Sequence, residues 1–131
     1  MDGAEITSPN YPDDYPPDLL CDYLITAPEG SAVTLVIEFL ETEPKHDWLR
    51  LYNSTNNNTR LLATYSGTHS GYNGLVARWE AGQNMFLQFK SDSTYSHRGF
   101  KLYYHFRPEF NHLGKCPNMR PRIPKCDCFP L

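Results

Sequence analysis

Val33-Thr34-Leu35-Val36-Ile37-Glu38-Phe39 is the stretch that decides the fold. Read with a period of two, it puts Val33, Leu35, Ile37 and Phe39 on one face, and its β-branched content suits a half-buried strand. On either side the same grammar repeats. Trp48 to Tyr52 alternates, with Trp48, Leu51 and Tyr52 as strand formers, and further strands are expected at Leu20–Thr26, Leu61–Tyr65, Leu75–Trp79, Met85–Lys90 and Gly99–Phe106. Turn signals separate them: Pro28-Glu29-Gly30, 53–58, 66–73, Ala81-Gly82-Gln83-Asn84 and 91–98. No segment holds ten residues of helical periodicity. Many short strands without intervening helices predict an all-β, antiparallel two-sheet sandwich.

The chain has 131 residues, enough for one domain with a real core. A hydrophobic share of 40% and an aromatic share of 14% exclude a disordered or membrane-embedded composition. No apolar run approaches the roughly 20 residues that span a bilayer, so no membrane insertion by this chain is expected. The opening "MDGAEITSP" lacks the basic stretch and apolar core of a signal peptide. A net charge of −3 argues against nucleic acid as a partner.

Cysteine placement is lopsided. Cys21 stands alone in the strand-rich part, while Cys116, Cys126 and Cys128 crowd the end. From about Arg107 the alternation stops and prolines multiply, so residues 1–106 read as the domain and 107–131 as an irregular, disulfide-dependent tail. Two acceptor sequons, Asn53-Ser54-Thr55 and Asn57-Asn58-Thr59, share one polar loop. Together with the tail cysteines they point to a secreted protein.

Read in order, "GAEITSPNYPDDYP" (3–16), "CDYLITAPEGSAVTL" (21–35), "DWLRLYN" (47–53), "LLATYSG" (61–67), "MFLQFKSD" (85–92) and "GFKLYY" (99–104) resemble the CUB domain over about residues 3–106. The resemblance implies a jelly-roll sandwich in an extracellular, non-catalytic interaction module that often carries one structural Ca2+. The calcium-binding members' ligand roles fall on Glu43, Asp47 and Asp92, with Tyr15 in support and a backbone oxygen of Thr94 or Tyr95 completing the shell. In relatives a basic side chain of the partner approaches these loops. By analogy Glu43, Asp47, His46, Tyr95 and His97 are the candidates to face another extracellular protein.

The chemistry is sound in its own right. Calcium takes six to eight hard oxygens, and an ion would relieve the repulsion of carboxylates brought together from separate loops. The plain alternative is three solvated loop acids. Two departures from the family pattern stand out. The interval from Glu43 to Asp47 is short and contains Pro44, which leaves Glu41 as a fallback ligand, and no cysteine lies between Cys21 and Cys116 to form the family's second disulfide. The resemblance gives Cys21 a partner upstream of Gly3. That partner either precedes Met1 or is replaced by a tail cysteine; the even count of four favours the tail.

Other readings are weaker. His46 beside Asp47 suggests a catalytic pair with Ser66 or Ser91, but no nucleophile elbow accompanies it. His112 with Cys116, Cys126 and Cys128 has a spacing that zinc accepts, although a secreted setting favours disulfides. Tyr11 and Tyr15 also suit plain packing beside prolines, and His105 falls within a strand. The function expected is calcium-ordered protein recognition. The runner-up is a structural spacer or accessory domain of a larger secreted or cell-surface protein, with calcium only stabilising it.

Overall fold

A computed structural model describes residues 4–69 and 75–108. Among these residues nine strands form: β1 (Ala4–Thr7), β2 (Leu20–Thr26), β3 (Ser31–Glu41), β4 (Trp48–Tyr52), β5 (Leu61–Tyr65), β6 (Thr68–His69), β7 (Ala77–Glu80), β8 (Asn84–Lys90) and β9 (Gly99–Pro108). All pairings are antiparallel. One sheet runs β1-β9-β3-β6 with β7 also on β3, and the other runs β2-β8-β4-β5. The expected two-sheet sandwich is the observed fold.

The core is filled from both inner faces. Val33, Leu35, Ile37, Leu40, Phe100 and Leu102 come from the first sheet and meet Ile25, Leu49, Leu51, Met85, Leu87 and Phe89 from the second. Burying each such side chain contributes about 1.5–3 kcal/mol. Phe89 stacks edge-on against Phe100 at 5.1 Å and against Tyr15 at 5.0 Å, which ties the core to the loops above it.

The structure corrects the alternation in two places. The β3–β9 register shifts between Ile37 and Phe39, so Leu40 takes the core position expected of Phe39. Phe39 turns outward instead, against Tyr11 and beneath the Arg98 guanidinium. In β4 the core residues are Leu49 and Leu51, while Arg50 lies over the Trp48 ring at 4.0 Å. The sequence also hides β1 and β6, and β7 starts at Ala77 rather than Leu75. Strand β9 continues through Pro108, pairing Arg107 and Pro108 with Ala32 and Ser31. Cys116, Cys126, Cys128 and His112 lie outside the described residues; Cys21 is half-buried on β2, packed against the core.

Candidate metal site

Three connections converge at one end of the sandwich: the β1–β2 segment, the β3–β4 turn and the β8–β9 loop. The β3–β4 turn is short because Lys45 adopts a left-handed backbone (φ 71°) and the amide of Asp47 bonds back to the Glu43 carbonyl at 3.1 Å. Buried Thr42 accepts the Gly67 N–H at 2.9 Å, and Ser66 Oγ donates to the Asp47 carbonyl at 2.7 Å. The abbreviated interval that departs from the family pattern is therefore a closed, hydrogen-bonded turn that brings Glu43 and Asp47 together.

The β8–β9 loop is stitched to the β1–β2 segment. Asp18 N–H donates to the Asp92 carbonyl at 2.9 Å and Tyr15 N–H to the His97 carbonyl at 3.0 Å. Ser91 Oγ accepts from Leu19 N–H at 2.9 Å and donates to the Pro16 carbonyl at 3.0 Å. At the start of β9, Gly99 has φ 88°, and a Cβ there would come within 1.9 Å of Ser8 Oγ and 3.2 Å of the Tyr15 ring. Only glycine fits. Ser8 Oγ in turn accepts the Phe100 N–H at 3.0 Å.

These supports bring ligand atoms of Glu43, Asp47 and Asp92 within 4.8 Å of one another. Asp47 is fully buried, and both its oxygens are held: Tyr15 OH donates to Oδ2 at 2.5 Å, and Asp92 N–H donates to Oδ1 at 2.8 Å. The same Tyr15 oxygen accepts the Glu43 N–H at 3.2 Å. Burial, and then the bond to Asp47, push the Tyr15 phenol well above its ordinary value, so it stays a donor. The Thr94 hydroxyl lies 3.3 Å from Glu43 Oε1 and 3.0 Å from Asp92 Oδ1.

Burial raises the Glu43 carboxyl above its usual range, reinforced by the neighbouring Asp92 and Asp47 carboxylates. Asp92 moves the opposite way, chiefly because the Thr94 N–H bonds to it. The nearest cationic candidate is His46, whose Nδ1 lies 3.7 Å from Asp92 Oδ2. Among the described residues no Lys or Arg pairs with the three acids. A hard divalent cation matches this donor set.

The other expected residues divide. Glu41, the fallback ligand, is taken by Arg98 at 2.8 Å and by His97 at 3.7 Å, away from the three acids. Tyr95 stands 74% exposed on the β8–β9 loop. Ser66 and Ser91 spend their hydroxyls on backbone groups, so neither forms a nucleophile pair with His46. Ser8, Gly99 and the Thr94 hydroxyl are further supports of the site. Ser8 lies within the "SPNYP" motif, which was signal enough; the Gly99 contact and the Thr94 side chain depend on tertiary placement.

A family model for the CUB domain matches residues 2–104. Human cubilin is 31% identical over 104 residues, covering 76% of this chain, and the chain spans 3% of cubilin's length. Among solved structures, the CUB1-EGF-CUB2 region of human MASP-1/3 superimposes with a TM-score of 0.71 at 25% identity, covering 82% of this chain and 42% of that one. The MASP-1 CUB2 domain, crystallised bound to Ca2+, gives 0.66 at 25% identity, covering 79% and 92%. Sequence match and sandwich topology agree: the chain belongs to the CUB domain family.

Proposed function

We propose that this CUB domain is a calcium-ordered recognition module. As a CUB domain it is extracellular and non-catalytic. In this reading Glu43, Asp47 and Asp92 hold one structural Ca2+, with Tyr15 fixing Asp47 and Thr94 bridging Glu43 and Asp92. The observation that carries it is the convergence of three carboxylates within 4.8 Å without a paired Lys or Arg among the described residues. The Ca2+-bound relative supports the choice of ion. The bound ion supplies two positive charges that cancel the mutual repulsion of the three acids.

The chain's own residues do the rest. Tyr15 and the Asp92 amide orient Asp47, and the turn closed by Ser66 and Thr42 presents Glu43. Exposed His46 and Tyr95 flank the acids, with His97 beyond them beside Glu41. The partner is another extracellular protein offering a basic side chain. Pairing at such an acidic rim weakens as salt screens it, and aromatic side chains such as Tyr95 commonly anchor interfaces.

Isothermal titration with Ca2+ tests the reading. One ion per chain is expected, with binding lost in Asp92→Ala. No heat of binding, or unchanged binding in that variant, overturns it. Should a partner bind equally well with and without calcium, the ion would be a stabiliser of a spacer domain instead.

A further inference from the structure

At the opposite end of the sandwich the β4–β5 loop carries two sequons of the same form, each with threonine in the third position. The fold treats their asparagines differently. Asn53 continues from β4: its N–H donates to the Arg60 carbonyl at 2.9 Å, and its side-chain Oδ1 accepts the Gly82 N–H at 3.0 Å. That second bond clamps the β4–β5 loop onto the β7–β8 turn, in a cleft also lined by Arg60, Gln83 and Asn84. A Cβ on Gly82 would stand 3.5 Å from the same oxygen, in ordinary van der Waals contact. The amide is planar, so holding Oδ1 also fixes Nδ2. A sugar on Nδ2 would have to leave from a half-buried amide already engaged with the β7–β8 turn.

Asn57 sits at the exposed tip, and its side chain makes no hydrogen bond to another described residue. Its neighbours shape the loop without it. Asn58 N–H donates to Asn56 Oδ1 at 2.9 Å, Asn56 N–H to Ser54 Oγ at 3.4 Å, and Thr59 Oγ1 lies 3.4 Å from Ser54 Oγ. A substituent on Asn57 Nδ2 disturbs none of these bonds.

We infer that Asn57 is the N-glycosylation site of this domain and that Asn53, despite its matching sequon, is a structural clamp left unmodified. The donor is a lipid-linked oligosaccharide diphosphate of the secretory pathway. Asn57 Nδ2 forms a bond to the first sugar's anomeric carbon as the sugar–phosphate bond breaks; the amide gives up one proton, and the lipid diphosphate leaves with the electron pair. Strand β3 spans 11 residues between the two ends, roughly 33 Å at the usual rise. The glycan therefore sits clear of the acidic loops.

Secreted protein from a eukaryotic host, deglycosylated by an amidase in heavy-oxygen water and mapped by mass spectrometry, tests the assignment. Heavy aspartate is expected at position 57 and unlabelled Asn53. Label at 53, or none at 57, overturns it. Thr59→Ala should remove the glycan and Thr55→Ala leave it; the reverse pattern overturns it as well. In protein made without glycans, Asn53→Ala should lower Tm while Asn57→Ala does not, and equal melting temperatures refute the clamp.

Discussion

Glu43 and Glu80 lie toward opposite ends of the same sandwich, and their surroundings drive them in opposite directions. Around Glu80 the protein supplies its own counter-charges: Arg78 Nε at 3.1 Å, Arg107 Nη1 at 3.0 Å and the Thr34 hydroxyl at 3.1 Å. Burial there works against ionisation, but the bonds from Arg78 and Thr34 and the two guanidiniums lower the Glu80 carboxyl. Around Glu43 burial raises the carboxyl, and the nearest charges are two more carboxylates. A compensated acid is a fastener. A cluster of acids held together by Tyr15 and two loops without a paired Lys or Arg among the described residues has the donor chemistry a divalent cation takes.

The largest effect is expected at the centre of the uncompensated end. Asp47→Ala leaves the buried Tyr15 hydroxyl and Asp92 N–H without their acceptor, a loss of about 3 kcal/mol, together with any response of Tm to calcium. Denaturant melts with and without Ca2+ check both; a calcium response that survives the substitution breaks the comparison. Gly99→Ala forces a Cβ into Ser8 and Tyr15 from a left-handed backbone, for about 2–3 kcal/mol. It should also weaken calcium binding, since Ser8 and Tyr15 must shift; calorimetry at matched folded fraction measures that.

At the compensated end the effects are small. Glu80→Gln should cost less than about 1 kcal/mol, because the carboxylate is 47% exposed and solvent screens its pairs. The loss should be the same with and without calcium. The Glu80 carboxyl is lowered in the fold, so its contribution is fully present above the ordinary carboxylate value and disappears as pH falls through the lowered one. Glu80→Gln should flatten that acid limb of the stability–pH curve. An unchanged limb would show that Glu80 is not the fastener it looks to be.

Much of the frame was legible in residue order. Strand β2 was expected at Leu20–Thr26, β4 at Trp48–Tyr52 and β5 at Leu61–Tyr65, and each occupies that span, because apolar alternation between turn formers is local information. The β3 bulge was not legible. Phe39 and Leu40 are equally apolar, and only the pairing with β9 decides which of them enters the core. Strands β1 and β6 escaped for a related reason: four and two residues long, they are strands only through their partners β9 and β3.

The same limit applied to the acids. Glu41 and Glu43 are two residues apart and indistinguishable by spacing. Arg98, distant in sequence, pairs with Glu41 and not with Glu43. The family resemblance pointed to the acidic loops, and in three dimensions Glu41 pairs with Arg98 while Glu43 lies with Asp47 and Asp92.

Thermal melting of the native chain and Glu43→Gln, each with and without Ca2+, tests the central claim most directly. Without calcium, removing one charge from an uncompensated cluster should leave Tm unchanged or raise it. With calcium, the native chain should gain stability by ligand linkage, and the variant should gain little, so that the order of the two melting temperatures reverses. A native Tm indifferent to calcium, or an equal gain in the variant, would contradict the account.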